Sequence, residues 1–574
     1  MNTMAAVQRL KDSGRTLLQN NQLEPAAKVL AQALTMAPAD GEIAYLLGMA
    51  QLTLGDKPGA AKSFIVASKS SHGNAVALFD LCHPLVSADD PVSGWRVIKQ
   101  AQEAASEDLF RNLIQARTHE IILTGERLTN AGRDDLTLKA YELAASARPD
   151  AFDALHKLWT HQLRMGLLSD AQATLTEAPV FDDPGEEAAT RRYRLLCDWM
   201  SKALAANPKR GARFNQEASD GKPRLVYALV LWGDEYVKAG ARQLRTLAAP
   251  GNMPALAETF DLRLGLVTTP KDYEALKTTG ALDLLAESMP CEPIFMPPEL
   301  VVADEHHKPT ELMYYIYNMS LHLCIDYAKA SGAGVSPLAA DHFFSDGSWR
   351  YIGELAAEGY EAACTAAPLC SRETFLPEFD AACPDEGPII LTSRELMGLC
   401  EDHLHAIVKR STVSPSNKDF NCPPGLLFWM DGHDLVAHGF CVHPMFISAE
   451  RVAKYSPYRF TTVDGHLLGN MFPNPADWDK VKVIESSDDF AQVGLNTDKQ
   501  EIKTTGRPFS IDVGRQYLKD RSMIREFNEW IFQWPIRFKG LYKKPKPNEY
   551  EANIIPEILK GGYSFADPDK DTST

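Results

Sequence analysis

Long apolar runs are missing from this sequence: no stretch of its 574 residues approaches the roughly 20 apolar residues that a membrane-spanning helix needs. The segment 1–22 carries regularly spaced basic residues in place of the apolar core of a secretory signal. Paired cysteine motifs are missing as well, because the ten cysteines are scattered and include no C-x-x-C pair. We therefore expect neither a zinc ribbon nor a disulfide framework, and we predict a cytoplasmic protein with free thiols and no membrane span.

Positive charge is scarce. The chain has 59 Lys and Arg against 76 Asp and Glu, a formal net charge of −17. Such a chain repels phosphate backbones and anionic lipid overall, so nucleic acid is not expected as a partner, although a local basic pocket for a small anion remains open. The sequence also lacks a G-x-G-x-x-G after its first predicted strand, a P-loop, a G-x-S-x-G and an H-E-x-x-H. These absences disfavour dinucleotide binding, P-loop chemistry and hydrolases of those types.

The first third of the chain contains a repeat with a period of 34 residues. Small and bulky residues recur in one order, with Gly14, Ala26, Leu30, Ala33 and Pro38 followed by Gly48, Ala60, Phe64, Ala67 and His72. Small residues at fixed positions let the two helices of a hairpin approach closely, and proline ends a unit because it cannot continue a helix. The period and the pattern resemble those of tetratricopeptide repeats.

The same register returns further along the chain. The end of one unit is matched by Tyr141, Ala144 and Pro149, and the next unit by Trp159, Ala171, Leu175 and Ala178. Trp159 stands where the pattern prefers glycine, and the stretch 75–130 is helical in pattern but lacks the signature. We predict an all-α, tetratricopeptide-like solenoid of four to five hairpins over residues 1–205, with an Ala-rich bundle as the alternative. Solenoids of this kind bind a protein segment or self-associate.

A polar segment with glycine and proline near both ends, 206–223, predicts a linker. The apolar run 225–231 follows it and is typical of a strand buried on both faces, and a second run, 262–267, follows a helical period. Strand, helix and strand in this order predict an α/β domain with a mostly parallel sheet at 224–540. Residues 541–574 are a basic and polar tail that we expect to be partly disordered.

Ligands of parallel sheets bind at the carboxyl ends of the strands. The first two predicted strands place four residues there, Trp232, Gly233, Thr268 and Thr269. A third apolar strand, 335–340, ends at Asp341, and a turn with Asp346 follows. Carboxylates at a strand end can hold a divalent cation together with phosphate oxygens. Ordinary turn residues are the alternative interpretation at each of these positions.

Histidines and acids recur in the later predicted strands. His438 and His443 are five residues apart, which places them on opposite faces of a continuous strand, so they should not share a metal unless the strand is interrupted. Two more strand-like runs end near Asp464 and Asp488. Together with Asp341 these acids would gather at one rim if the strands run parallel, as metal binding or general-base catalysis requires.

From residue 225 to about 493 the layout resembles the GT-A type of glycosyltransferase, in which a nucleotide-binding βαβ half precedes an apolar strand ending in Asp-x-Asp. The resemblance implies a nucleotide-sugar donor bound by Trp232, Gly233, Thr268, Thr269 and Asp341. It also implies a Mg²⁺ or Mn²⁺ ion held by Asp341, Asp346 and a late histidine, His443. The sequence departs from the motif at Phe343, which stands where the second Asp belongs. Either Asp346 supplies the second carboxylate, or the site works without metal, or the resemblance is misleading.

Two functions remain at this point. The first is a glycosyltransferase that moves a sugar from the nucleotide-sugar to an acceptor, with a protein acceptor or a second subunit held by the repeats and Asp464 as the base of an inverting reaction. The second is a non-catalytic interaction scaffold with a degenerate glycosyltransferase-like domain. The imperfect motif favours the scaffold, the three strand-end acids favour the enzyme, and we predict the enzyme.

Overall fold

The computed structural model describes residues 3–70, 74–87, 90–219, 221–302, 310–421, 425–455, 465–499, 506–521 and 525–560. The chain divides into two compact units, Met1–Arg194 and Leu195–Thr574. The described residues of the first unit form helices and turns, whereas the second unit combines helices with sheets. No helix within these ranges is long and apolar enough to cross a lipid bilayer.

The first unit is built from helices that pack on their neighbours in sequence. They are α1 (Thr3–Gln19), α2 (Leu23–Met36), α3 (Gly41–Thr53), α4 (Lys57–Ser68), α5 (Asn74–Ser87), α6 (Pro91–Ala104), α7 (Glu107–Ala116), α8 (Thr118–Asn130), α9 (Asp134–Ala147), α10 (Phe152–Arg164), α11 (Leu168–Glu177) and α12 (Pro184–Glu217), the last of which crosses the unit boundary. Side-chain caps fix several of the starts. Asp40, for example, accepts hydrogen bonds from the backbone N–H groups of Glu42 and Ile43.

Glycine positions show how the hairpins close. A Cβ atom added at the glycine would lie within 3 Å of a bulky side chain sixteen residues later, in the pairs Gly14–Leu30, Gly48–Phe64 and Gly125–Tyr141. Ala26 and Ala33 are fully buried, as the small positions of the period require. The predicted helical hairpin repeat is therefore confirmed from its own contacts.

The stretch 75–130, which lacks the sequence signature, is helical in its described residues as predicted. Sequence reasoning missed its glycine contact, because Gly125 lies outside the 34-residue register of the first two units. Trp159 lies sixteen residues before Leu175, at the position that glycine occupies in the three pairs above. Its ring is fully buried and packs edge-on against Phe152.

The predicted linker is the first correction. Residues 206–223 are not an extended connection, because α12 continues through them as far as Glu217. Asn207 is fully buried and its amide donates to the carbonyl of Leu323 and to the carboxylate of Asp326. The polar residues of this segment therefore belong to a helix that packs within the second unit, and the boundary between the units lies at Arg194.

The strands of the second unit are β1 (Arg224–Val230), β2 (Asp261–Thr268), β3 (Cys291–Phe295), β4 (Gly334–Ala339), β5 (His342–Phe344), β6 (Ala362–Thr365), β7 (Leu369–Ser371), β8 (Leu426–Asp431), β9 (Asp434–Gly439), β10 (His443–Ile447), β11 (Val481–Val483), β12 (Gln492–Asn496) and β13 (Ile536–Phe538). The largest sheet has seven strands in the order β11-β6-β10-β4-β1-β2-β3. Its pairs are parallel except for those of β10, which runs antiparallel to both β4 and β6. The predicted mostly parallel sheet is confirmed.

The helices of this unit after α12 are α13 (Asp234–Leu247), α14 (Met253–Thr259), α15 (Pro270–Thr278), α16 (Thr310–Ala330), α17 (Ser348–Ala357), α18 (Arg372–Ala382), α19 (Ser393–Gly398), α20 (Ala406–Arg410), α21 (Ala449–Lys454), α22 (Gly465–Met471), α23 (Ile511–Arg521), α24 (Arg525–Phe532) and α25 (Ile554–Leu559). Short 3₁₀ helices lie at Asp283–Leu285, Pro298–Leu300, Glu401–His403 and Pro475–Lys480.

The core of the second unit explains the continuous apolar runs. Alternate residues of β1, such as Leu225 and Leu229, pack against side chains of α13, α14 and α17 on one face of the sheet. Gly265 of β2 faces the opposite side of the sheet, where a Cβ atom added at this glycine would lie 3.4 Å from the Sγ atom of Cys324 in α16. Both faces of the central strands are therefore covered, which removes the need for polar residues along them.

One alternative that the sequence left open is decided, and one later prediction needs correction. His438 and His443 do not lie on a continuous strand, because β9 ends at Gly439 and β10 begins at His443 in a different sheet. The predicted tail is ordered beyond 541, because Lys546 bonds back to Gly432 and α25 packs near α23, with Ile558 beside Gly514. Residues 561–574 lie outside the described part of the chain.

Candidate functional site

The strand register brings the predicted rim residues side by side. Val230 of β1 lies opposite Val267 of β2 on one side and Ala339 of β4 on the other. Neighbouring strands are about 4.8 Å apart. Trp232, Thr269 and Asp341, each two residues further along, therefore leave the sheet at one level, at the edge where parallel sheets bind ligands. We call this edge the rim.

Gly233 and Thr269 are held at the rim by one carboxylate, that of Asp272. The backbone N–H of Gly233 donates to Asp272 at 3.1 Å, and the Thr269 hydroxyl donates to the same oxygen at 2.8 Å while capping α15. Gly233 has a φ of 79°, a left-handed conformation that favours glycine. The Thr268 hydroxyl is buried and has no hydrogen-bond partner among the described residues. Sequence reasoning missed Asp272, although its position three residues after Thr269 is that of a capping interaction.

Asp341 follows β4 directly and is partly buried. Burial raises the pKa of its carboxyl group to about 6, against the opposing effects of a backbone hydrogen bond and the charge of Arg372. Burial, with added contributions from Asp341 and Tyr236, raises the pKa of Tyr317 well above its ordinary value. Asp341 thus lies in a pocket shared by an arginine and two tyrosines.

Arg372 is the most informative residue of this pocket. It opens α18, and its guanidinium group lies 5.3 Å from the centre of the Tyr236 ring. Its Nε atom is buried and has no hydrogen-bond partner among the described residues. Tyr236 on α13 is 41% exposed. The pair therefore presents a cation on an aromatic face at the rim, beside Asp341.

Sequence reasoning missed Arg372, yet one signal was available. The first turn of a helix favours acidic side chains, because the helix dipole is positive there, so an arginine at the first helical position opposes the preference. Glu373, the next residue, follows the preference and accepts hydrogen bonds from Thr497 and Asp498. The strand β7 that precedes Arg372 is too short to recognise from the sequence.

His443 reaches the rim from the other side of β4. It begins the antiparallel strand β10 and lies opposite Thr365, the last residue of β6. Its ring packs edge-to-face on that of His342, with the ring centres 4.5 Å apart. Burial lowers the pKa of His342 to about 4, so this imidazole is neutral at pH 7. Gln492 of β12 lies beside His342, and it is 1% exposed.

Asp346 does not join Asp341. The extended strand β5 lies between them in the chain, and such a strand advances about 3.3 Å per residue. Asp346 accepts a hydrogen bond from the backbone N–H of Gly251 at 2.6 Å, and its own N–H donates to Leu391. Phe343, in the place of the second motif acid, is fully buried and stacks on Phe379.

The residues present do not fit the expected metal centre. Within the described part of the chain no group of three or more His, Cys, Asp and Glu side chains is placed to hold a metal ion. Of the predicted ligands, Asp341 lies at the rim, Asp346 is bonded to Gly251, and His443 packs on His342. A cation at this rim would have one carboxylate from the predicted set.

The other predicted acids and histidines lie apart from this pocket or outside the described residues. Asp488 lies beyond the end of β11 and forms a two-point ion pair with Arg394 at 2.7 and 2.8 Å. His438 is bonded to the carbonyl of Phe532 and to the hydroxyl of Tyr550, so it does not share a site with His443. Asp464, the predicted base, falls in the segment 456–464, which lies outside the described residues. Asp488 is therefore held by Arg394, and the gathering of the three strand-end acids stays a prediction.

Comparison with known proteins gives little help with this site. No protein-family model matches the chain, and no curated protein sequence matches it. Among solved structures, MamA is 17% identical with a TM-score of 0.26, covering 30% of this chain and 90% of its own. YrrB, described as a TPR protein with an unusual peptide-binding site, is 18% identical with a TM-score of 0.25, covering 31% of this chain and 91% of its own. Each likeness spans less than a third of this chain, and the assignments above rest on the contacts of the chain itself.

Proposed function

We propose that the second unit is a glycosyltransferase that uses a nucleotide-sugar donor bound at the rim. The observation that carries the proposal is Arg372. Its guanidinium group is partly buried, its Nε atom has no hydrogen-bond partner among the described residues, and it lies over the exposed ring of Tyr236 and beside Asp341. A diphosphate is the ligand that such a cation favours, because charge-assisted hydrogen bonds from arginine to phosphate are strong and directional.

The aromatic residues suit the base of the nucleotide. Tyr236 is exposed and Trp232 is half-buried, so both can offer ring surface at the end of β1. Every base has an aromatic face that stacks on such side chains. Asp341 is ionised above its pKa of about 6, so at pH 7 it accepts hydrogen bonds from hydroxyl groups of the ribose or of the sugar.

In the proposed reaction the bond between the sugar carbon and the diphosphate oxygen breaks, and a bond from that carbon to the acceptor oxygen forms. Negative charge grows on the departing nucleoside diphosphate, and the Arg372 guanidinium stabilises it there. The acceptor proton passes to a base, for which Asp464 stays the prediction. A protein acceptor held by the repeats of the first unit stays part of the proposal.

The test is donor binding, measured by calorimetry with UDP, GDP and ADP and with their sugar conjugates UDP-glucose, GDP-mannose and ADP-glucose. We expect the parent protein to bind at least one pair, and Arg372→Gln to weaken that binding about 10- to 100-fold, as expected for a lost charged hydrogen bond. Arg350→Gln is the matched control, since Arg350 is 65% exposed and lies on the outside of α17 beside Glu354.

Absence of binding by the parent to every probe contradicts the proposal. If the parent and Arg372→Gln bind the donor with equal affinity, Arg372 does not contribute to donor binding, and the proposal loses the observation that carries it. Release of nucleoside diphosphate from the bound sugar conjugate, with and without candidate acceptors, then measures turnover.

One observation favours a second function, a non-catalytic scaffold. Phe343 replaces the second acid of the Asp-x-Asp motif, and it stacks with Phe375 and Phe379 in the core, so this position cannot contribute a ligand. If the domain is a scaffold, the parent protein should bind nucleotide-sugars without turning them over, even in the presence of acceptors that occupy the first unit.

A further inference from the structure

A buried amide lies behind the rim. Gln492 on β12 is 1% exposed, and neither its Nε2 nor its Oε1 atom has a hydrogen-bond partner among the described residues. An unpaired buried polar group costs about 1 to 3 kcal/mol, and most buried polar groups in proteins are paired. The polar side chain beside it is that of His342, whose pKa the amide raises against the lowering effect of burial. At least one end of the amide is therefore available to a ligand.

The next residue towards the rim is polar as well. His342 is 4% exposed, and its Nδ1 atom also lacks a partner within the described part of the chain. Antiparallel pairing sets Gln492 opposite Phe344 and Gly494 opposite His342, so Gln492 and His342 lie on the same face of β5 and β12. The His342 ring contacts the half-buried His443, which lies at the rim itself.

The atom types of the amide limit the ligand. A phosphate is mostly deprotonated at neutral pH and acts mainly as a hydrogen-bond acceptor, so it suits only the NH₂ end of Gln492. A hydroxyl group both donates and accepts, and it therefore suits an amide that offers one carbonyl oxygen and one NH₂ group.

The sheet order separates two halves of the rim. β4, which ends two residues before Asp341, has β1 on one side and β10 on the other. The aromatic ring of Tyr236 and the cation of Arg372 suit a nucleoside diphosphate, and Trp232 follows β1. The neutral groups of His342 and Gln492 lie with His443 at the start of β10. A donor laid across Asp341 would present its sugar to this second half.

We propose that Gln492 and His342 bind hydroxyl groups of the transferred sugar and thereby distinguish a nucleotide-sugar from a nucleoside diphosphate. The inference rests on the proposed function, because it needs a donor at the rim. Gln492 acts as a specificity-determining residue.

The test replaces the amide by an apolar side chain of the same length, Gln492→Met. Calorimetry is run with the pairs UDP and UDP-glucose, GDP and GDP-mannose, and ADP and ADP-glucose. We expect the parent to bind the sugar conjugate of one pair more tightly than the free diphosphate. Gln492→Met should lose about 3- to 10-fold in affinity for that conjugate, the value of one neutral hydrogen bond, and keep its affinity for the diphosphate.

Thermal unfolding without ligand supplies the second readout. Gln492→Met should unfold at the same temperature as the parent or higher, because it removes an unpaired buried amide. The matched control is Gln243→Met. Gln243 is equally buried, but its Nε2 donates to the Ala339 carbonyl at 2.7 Å, so this variant should unfold at a lower temperature than the parent.

The outcomes separate the two proposals. A parent that binds no diphosphate overturns the proposed function, and the present inference falls with it. Diphosphate binding with a sugar preference that survives in Gln492→Met overturns this inference alone and assigns the amide to an internal water. A Gln492→Met variant that unfolds well below the parent, or does not fold, overturns it too, because the amide would then be structural.

Discussion

The carboxylate of Asp346 and the backbone N–H of Gly251 are joined by a hydrogen bond of 2.6 Å. The contact is tight, since a Cβ atom added at Gly251 would lie 2.8 Å from the same carboxylate oxygen and 2.7 Å from the nitrogen of Gly347. This bond ties the loop before α14 to the turn before α17. It therefore gives Asp346 a structural task in place of the metal-binding role that the sequence suggested.

We expect Asp346→Ala to lower the free energy of unfolding by about 1 to 2 kcal/mol, the value of a hydrogen bond between a charged side chain and a partly buried donor. Its affinity for nucleoside diphosphates should equal that of the parent. Urea unfolding and calorimetry measure the two quantities. Weaker binding at unchanged stability would show that the carboxylate reaches the rim, contrary to this assignment.

At Asp341 we expect a substitution to raise the stability of the unliganded protein, in contrast to Asp346. Its folded-state pKa of about 6 lies above the ordinary value of 3.8, so between these values the folded protein holds a proton that the unfolded chain has lost. The contribution of this group to stability is therefore fully present below about pH 4 and is lost as pH rises through 6. Asp341→Asn should remove this dependence and stabilise the unliganded protein at pH 7 by about 1 to 3 kcal/mol.

Unfolding temperatures of the parent and of Asp341→Asn across pH 4 to 7.5 test this expectation. The difference between them should widen as pH rises and level off above pH 7. A constant difference would mean that the carboxyl group is solvated in the folded state. The same substitution should weaken nucleotide-sugar binding, since the amide has one acceptor oxygen where the carboxylate has two.

The closely packed glycines of the first unit provide a prediction that is independent of the site. In Gly48→Ala the new methyl group would lie 2.7 Å from the Phe64 ring, which is fully buried and cannot turn away. We expect a loss of about 1 to 3 kcal/mol from overpacking, in spite of the better helix propensity of alanine. Far-UV circular dichroism during urea unfolding measures it, and Lys62→Ala, at an exposed position of α4, is the control.

A double mutant makes this test specific. Phe64→Leu removes ring atoms that the methyl group would contact, and Gly14 already packs on a leucine in the preceding unit. Gly48→Ala combined with Phe64→Leu should therefore lose less than the sum of the two single losses, by about 0.5 to 2 kcal/mol. Strict additivity would indicate that the two side chains do not meet.

The sequence carried enough signal for the repeats and the parallel sheet, because both depend on apolar periodicity. It also located Trp232, Thr268, Thr269 and Asp341 at the rim, since the carboxyl ends of parallel strands meet there by geometry. Whether these residues bind a donor remains a prediction.

The sequence carried too little signal for contacts between distant segments. Arg372 lies after the three-residue strand β7, and Gln492 lies behind the rim because β12 pairs with β5, which no local pattern shows. The linker was assigned from composition alone, although Asn207 is buried and bonded to Asp326. Asp488 ended a strand-like run, but an ion pair with Arg394 holds it.

The last prediction concerns metal removal. Because Asp346 is bonded to Gly251 and the described residues bring no set of three ligands together, we propose that Arg372 supplies the positive charge at the diphosphate. Treatment with EDTA should then leave the affinity for the diphosphate unchanged, and Arg372→Gln should weaken it to the same degree with and without Mn²⁺. If EDTA weakens binding and Mn²⁺ restores it, a ligand outside the described residues completes a metal site, and Asp464 is the candidate that we test. Asp464→Asn distinguishes the roles, because a lost metal ligand would weaken binding in Mn²⁺, whereas a lost base would spare binding and lower turnover.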